Sequence, residues 1–309
     1  MRYKAKSIEP ALNVLAFHGK SFRFAGRFLN KKQLEDCARL YRFCRFVDDL
    51  VDKESDILLA QKKLDRIKQN LELDYSQIPV VQDFIELAKH YQMQTSVVSE
   101  LVKGIESDLT PALIKNEAEL LRYCYRVAGT VGLLMCDVLG VKDPKARPHA
   151  IDLGIAMQLT NIARDVVEDA EMGRRYIPGE WVGEILPESL TRATTTEKET
   201  IKKSVQRLLS LANLYYESGN AGLRFLPSRA RTGIKIAATV YKEIGVVIEE
   251  KAYNVFSGRA YVNLVRKLYV ASRAFISNTT RRPYAFHTAS LHIYLKDMPH
   301  ANDSTEYMS

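Results

Sequence analysis

A chain of 309 residues is long enough to bury one large core or two small ones. Hydrophobic residues make up 46% and charged residues 27%, as in an ordinary soluble globular protein, and no apolar run approaches the roughly 18 residues needed to cross a bilayer. Forty-five Lys and Arg against 37 Asp and Glu give a formal charge of +8, which favours an anionic partner: phosphate, an acidic membrane surface or nucleic acid.

The chain opens on "MRYKAKSIEPALNVLAFHGKSF" (1–22), which is basic but lacks a continuous apolar core and a small-residue cleavage site. It is expected to be mature protein and not a secretory leader. From there apolar residues recur at spacings of three and four nearly everywhere, and no alternating strand segment of useful length interrupts them. Breaks are expected near Pro79, at "SDLTP" (107–111), at "VKDPKARP" (141–148), through 173–190, at "LPS" (226–228) and after Arg282 and Pro283. Helix starts are expected at Asn116 with Glu119 and at Thr196 with Glu199, each a capping pair at the right spacing. The pattern predicts a single all-α domain over 1–297, of roughly eight to ten long helices, with a polar, disordered tail over 298–309. The four cysteines, Cys37, Cys44, Cys124 and Cys136, form no CxxC pair; Cys37 and Cys44 are seven apart and share a helix face. They are read as free thiols packed as small hydrophobes in a reducing compartment, which points to the cytoplasm.

Two acidic segments stand out. In "YRFCRFVDDLVD" (41–52), Tyr41, Arg45, Asp48 and Asp52 fall at offsets 0, 4, 7 and 11. In "QLTNIARDVVED" (158–169), Gln158, Asn161, Asp165 and Asp169 fall at offsets 0, 3, 7 and 11. Such offsets put each set on one face of one helix. Carboxylates one turn apart repel each other, and burying them is costly without a cation. Two such rows facing each other would hold divalent cations, and hard oxygen donors with amide help suit Mg²⁺. Arg45, Arg164 and Arg174 would then contact the phosphates of a diphosphate held through those ions. Asp49 and Glu168 lie off the stripes.

At this point the residues resemble a known family. "YRFCRFVDDLVD" and "QLTNIARDVVEDAEMGRRYIP" are similar to the two signature regions of the squalene and phytoene synthase family. "HGKSF" (18–22) and "YCYRVAGTVG" (123–132) resemble two further family segments in the expected order, so the likeness runs from about His18 to about Arg266. The resemblance implies an isoprenoid-synthase helical bundle around a central cavity. It implies a Mg²⁺-dependent transferase, with Mn²⁺ able to substitute, that condenses two prenyl diphosphates head to head through a cyclopropylcarbinyl diphosphate. The second segment is nearest in wording to bacterial members that make phytoene for carotenoid biosynthesis from two geranylgeranyl diphosphates. The alternatives are a dehydrosqualene or squalene type using farnesyl diphosphate, or a non-catalytic relative acting in assembly.

Carried over residue by residue, the resemblance implies Asp48, Asp52, Asp165 and Asp169 as the metal-binding catalytic acids, with Asn161 as a neutral ligand. It implies His18, Lys20, Ser21, Tyr41, Arg45, Gln158, Arg164 and Tyr241 as diphosphate contacts, Arg174 as a basic residue following the second motif, and Tyr125 as a cavity tyrosine near the reacting carbons. One departure is Gly19, where some relatives carry serine. If the faces of Gly26 and Ala38 line the tunnel, their small size leaves room for a C20 tail. No nicotinamide is expected, since GxGxxG is absent. No nucleic acid is expected either: the basic run "RFLPSRARTGIK" (224–235) carries no helix-turn-helix, zinc or RNA-binding signature. Lipid substrates leave room for peripheral association with a membrane surface.

Overall fold

The computed structural model describes residues 10–17, 19–183, 185–276 and 287–302. A helix over 10–17 leads into α1 (Lys20–Gly26), α2 (Lys31–Lys53), α3 (Ile57–Glu72), α4 (Pro79–Tyr91) and α5 (Thr95–Glu106). Next come α6 (Glu117–Cys124), a π-helical turn (Tyr125–Gly129) and α7 (Thr130–Val138), which run on without a break. After them come α8 (Ala146–Arg164), α9 (Val166–Glu171), α10 (Thr195–Ala221), α11 (Ser228–Glu250) and α12 (Leu264–Ile276). The described residues contain no strand, only an isolated bridge between Leu113 and Arg175. The expected all-α class is what the structure has.

α2 starts where Asn30 closes a capping box with Gln33: its side chain accepts from the Gln33 N–H at 2.8 Å and Gln33 accepts back from the Asn30 N–H. It buries Leu40, Phe43, Val47 and Val51, and Phe43 stacks on Phe84 of α4 with ring centroids 3.8 Å apart. That apolar stripe fixes the rotation of α2, so the neighbouring stripe with Asp48 and Asp52 faces the middle of the bundle. α8 is the central helix: Ile151, Ile155, Ala156, Leu159, Ile162 and Ala163 are all buried. It packs along α10 on one side and against the π turn and α7 on the other. Two glycines permit the second approach. A methyl at Gly132 would sit 2.2 Å from the Ala150 carbonyl oxygen, and one at Gly154 would sit 2.3 Å from that of Ala128. Both obstacles are backbone, so neither can step aside.

Three expectations need correction. The second acidic stripe does not lie on one unbroken helix: α8 ends at Arg164, and Asp165 (φ −103°, ψ 17°) joins it to α9. The i→i−4 bonds of the Asp165 and Asp169 N–H groups survive, so the stripe keeps its line across the break. The α10 cap falls two residues early, at Thr194 with Glu197, where both Thr194 N–H (2.7 Å) and Oγ1 (2.8 Å) donate to the Glu197 carboxylate. Glu199 instead pairs with Lys202 on the surface. The expected disordered tail from 298 is packed through 302: Leu295, Met298 and Ala301 are buried, a spacing of three hidden in a polar stretch. Residues 303–309 and the break at Arg282 and Pro283 lie outside the described residues. The Asn116 cap is present, its side chain accepting from the Glu119 N–H at 2.9 Å.

Gly132→Ala is expected to destabilise the protein by roughly 1–3 kcal/mol, the usual result of forcing a methylene into a closed contact. Chemical denaturation would read this as a lower midpoint at unchanged slope.

Candidate active site

The two acidic rows meet. Asp48 and Asp52 of α2 and Asp165 and Asp169 at the α8–α9 junction line one polar cavity of about 280 Å³. Arg45, Arg164 and Arg174 line it too, as do Gln158 and Asn161. A fifth acid, Asp108, comes from the turn after α5, the "SDLTP" stretch read from sequence as a break only. Asp108 accepts from Tyr176 at 2.7 Å and Tyr123 at 2.9 Å, whose rings stack 4.7 Å apart. Nothing local marks Asp108; a single acid in a turn has no periodic signature.

The electrostatics divide the acids into two kinds. Burial, with the charge of Asp52 beside it, pushes the Asp48 carboxyl up to about 7. Burial and neighbouring Asp165 push Asp169 up to about 8. Burial also raises Asp108, to about 6, against the opposing bonds from Tyr176, Arg174 and Tyr123. Asp165 goes the other way. Burial favours its neutral form, but bidentate contacts from Arg164 (2.7 and 2.5 Å) and Arg259 (2.8 and 3.0 Å) outweigh that and hold it below the ordinary carboxylate range. Arg259 was not legible in the sequence, since it lies 94 residues beyond its partner. Arg174 donates to Asp52 at 2.8 Å and to the Asp108 carbonyl at 3.1 Å. Arg45 pairs with Asp49 at 2.5 Å, and Lys53 joins the same off-stripe acid at 2.9 Å. Each of the three predicted arginines is thus at the cavity, held by a carboxylate.

A second, apolar cavity of about 350 Å³ adjoins the first, and Val127, Gln158 and Asn161 line both. Its wall runs along α2 through Cys37, Leu40, Tyr41 and Cys44, and along α8 through Ala150, Leu153, Gly154 and Met157. Val127 and Ala128 of the π turn and Ile234, Ala237 and Tyr241 of α11 close the other sides. Cys37 and Cys44 are free thiols on this wall, as expected, and burial pushes Cys37 up to about 12, so neither thiol is a nucleophile. Burial likewise raises Tyr41 to about 12, and Tyr241 is raised by burial too.

Several predicted positions move. Tyr125 is fully buried in the π turn, its hydroxyl donates to the Pro299 carbonyl at 2.7 Å, and it is not among the lining residues of either cavity. The π turn rotates Val127 and Ala128 inward in its stead. Gly26 lines the apolar cavity, whereas Ala38 does not line it and packs one layer behind, against Ala11 and the lining residue Leu15. At Gly19 a Cβ would lie 2.9 Å from Leu15 Cδ1 and 3.2 Å from Tyr41 Cζ, which leaves little space for a serine. His18 lies outside the described residues, as do the side chains of Lys20 and Ser21.

The donor set fits a hard divalent cation. Five carboxylates converge, two are pushed close to neutrality by burial and like charge, and the Asn161 Oδ1 is buried with no hydrogen-bond partner. All are oxygens, the chemistry Mg²⁺ prefers.

Two outcomes follow from these values. The folded state binds more protons than the unfolded chain between about pH 4 and 8, because Asp48 and Asp169 titrate near 7 and 8 and not near the unperturbed value of about 4. Stability of the metal-free protein should therefore fall as pH rises through that window. A divalent cation must displace those protons, so the rise in Tm on adding Mg²⁺ should grow from pH 6 to pH 8.5. Asp169→Asn should flatten both trends in a thermal-shift series. Tyr125→Phe removes one hydrogen bond worth about 1 kcal/mol; Tm should fall while kcat and KM of the folded fraction stay unchanged.

Comparison with known proteins agrees with this geometry. The squalene/phytoene synthase family model matches residues 15–266. The 15-cis-phytoene synthase of Pantoea ananas is 30% identical over 300 residues, covering 93% of this chain and 97% of that protein. The 15-cis-phytoene synthase of Enterobacter agglomerans is 34% identical over 265 residues, covering 81% and 88%. Among solved structures, a dehydrosqualene synthase in complex with ligand superposes with a TM-score of 0.79 at 26% identity, covering 89% of this chain and 97% of that one. A squalene synthase from Alicyclobacillus acidocaldarius, at 18% identity and a TM-score of 0.70 over 81% of this chain and 96% of that one, shares the fold. An all-helical chain that brings both acidic motifs to one cavity, and matches the family model over that whole span, belongs to the squalene/phytoene synthase family.

Proposed function

We propose that this chain is a phytoene synthase, condensing two geranylgeranyl diphosphates head to head and releasing two diphosphates. The observation that carries the reading is the pairing of the two cavities: an acidic, arginine-edged chamber beside an apolar one, with Gln158, Asn161 and Val127 lining both. A prenyl diphosphate has that same division into head and tail. The relatives named 15-cis-phytoene synthase, similar over most of their length, favour the C20 substrate.

Mg²⁺ held by Asp48, Asp52, Asp165, Asp169 and Asn161 would neutralise the leaving diphosphate. Arg45, Arg164 and Arg174 exchange their carboxylate partners for phosphate oxygens, keeping charge-assisted bonds throughout. Lining of Leu40, Val131, Met135, Leu153 and Met157 keeps the tails dry. The allylic cation left by the first diphosphate then meets the second substrate's double bond before it meets water. That attack closes a cyclopropane, giving a cyclopropylcarbinyl diphosphate. Departure of its diphosphate, rearrangement of the skeleton and loss of a proton complete the reaction. Tyr41 and Tyr241 line the apolar cavity, and burial keeps their hydroxyls protonated.

A dehydrosqualene-type reaction on farnesyl diphosphate is the second reading, favoured by the likeness to the solved dehydrosqualene synthase. Among the described residues no helix is long and apolar enough to cross a membrane. The exposure of Leu264, Leu268, Tyr269, Phe275 and Ile276 on α12 is what supports reading a peripheral membrane contact there.

The test is turnover of geranylgeranyl or farnesyl diphosphate with Mg²⁺ and no nicotinamide, with the hydrocarbon identified by mass. A C40 product is expected; a C30 product alone moves the assignment to the second reading, and no turnover of either overturns both. Gly26→Phe should cut C40 formation at least about tenfold relative to C30, because Gly26 lines the apolar cavity and a side chain there takes up room beside Leu34 on the same wall. Ala38→Trp should lower Tm, since it presses on Ala11 and Leu15.

A further inference from the structure

The acids of the polar cavity are accounted for, but a different cluster of metal-ligand type lies elsewhere. Asp152 of α8 and His287 and His292 of the C-terminal segment bring ligand atoms within 4.8 Å of one another. Asp152 precedes Asp165 by 13 residues (165 minus 152), about 20 Å along a helix, so this is not the diphosphate site. The side chains are only 0% (Asp152), 2% (His292) and 3% (His287) exposed. Three groups of this polarity so deep in an apolar bundle need a common reason.

The hydrogen bonds define the protonation. Asp152 Oδ2 accepts from His287 Nε2 at 2.8 Å and Oδ1 from His292 Nε2 at 2.7 Å, and the Ser218 hydroxyl also donates to Oδ2. His292 Nδ1 lies 2.8 Å from the Ala301 carbonyl, which can only accept. His292 therefore donates from both nitrogens and is a buried imidazolium. His287 Nδ1 is buried with no hydrogen-bond partner. Burial alone would raise Asp152, but the bonds from the two histidines prevail and hold it down at about 2, a permanent anion.

This is the set-up of a metal ligand set with protons in the place of the ion. An imidazole whose Nδ1–H is anchored on a backbone carbonyl and whose Nε2 points at a shared centre has the orientation that metal-binding histidines need. We infer that Asp152, His287 and His292 form a structural site for Zn²⁺ or a similar borderline transition metal, clipping the C-terminal segment to α8. Two nitrogens and a carboxylate suit such an ion and do not suit Mg²⁺. Binding balances simply: His292 gives up its Nε2 proton to solvent, and the His287 proton moves from Nε2 to the unpartnered Nδ1. The ligand atoms must open from 2.7 and 2.8 Å to about 3.3 Å, the separation set by zinc–nitrogen bonds of about 2.0 Å in a tetrahedron. The clipped segment is the one that carries the Pro299 carbonyl to Tyr125, the Leu291 carbonyl to Tyr215 and Asp297 to Arg122. The ion's effect is therefore on stability and does not depend on which prenyl diphosphate is used.

The test is metal content. Full-length protein expressed with added Zn²⁺ and dialysed against excess Mg²⁺ is analysed by elemental mass spectrometry, and chelator-stripped protein is titrated with Co²⁺ in the visible range. Wild type and Asp165→Asn are expected to retain one transition-metal ion per chain and to show the d–d absorption of nitrogen-ligated Co²⁺. The double variant His287→Ala/His292→Ala should lose the ion. Absence of both retained metal and Co²⁺ absorption in wild type overturns the inference and leaves an Asp–His ion pair. Retention by the histidine double variant also overturns it, by locating the ion elsewhere. The wild-type spectrum decides the matter even where the variant fails to fold.

Discussion

Several carboxylates crowded into one partly buried chamber are the constraint around which the protein is arranged. Asp48 and Asp169 lose water on folding and gain a like charge, and both effects push them toward the neutral form. Asp165 escapes only because two arginines embrace it. Tyr123 and Tyr176 donate to Asp108 and Arg174 to Asp52, but at Asp108 burial still prevails. Such a chamber is a burden on stability in a protein that is otherwise well packed. Its retention makes physical sense if cations and anionic phosphates enter it together, because the arginines and acids then find partners of opposite sign.

Two helices carry the gradient from tail to head. Along α2 the inward stripe passes from Cys37, Tyr41 and Cys44 to Arg45, Asp48 and Asp52; along α8 and its extension it passes from Ala150, Leu153 and Met157 to Gln158, Asn161 and Asp165. In each case the stripe changes from apolar to charged within about four turns, roughly 20 Å. Side by side, the two stripes make one dry chamber and one acidic chamber with a shared wall. Close contact between α7, the π turn and α8 at Gly132 and Gly154 keeps the dry chamber closed on its far side.

The C-terminal segment adds a different kind of restraint. It reaches back to α8 through Asp152, to α6 through Arg122 and to the π turn through Tyr125. Those contacts hold from behind the turn whose Val127 and Ala128 form cavity wall. Tyr125 thus sits behind that wall, with its hydroxyl on the Pro299 carbonyl.

The sequence alone determined the helical class and the identity of the two acidic rows, because each rests on short-range periodicity. Asp48 and Asp52 share a face by helical geometry, and Asp165 and Asp169 hold their line even across the break, since local i→i−4 bonds persist there. Residues whose role comes from distant neighbours were not legible. Asp108 meets Tyr176 across 68 residues, and Arg259 meets Asp165 across 94, and no local pattern encodes such meetings. The resemblance implies Tyr125 near the reacting carbons, and Ala38 suits the tunnel only if its helix face lines it, but a π turn and a contact with 10–17 set both behind the wall. Which way a side chain on a known helix points is set by what packs behind it, and only the tertiary structure decides that.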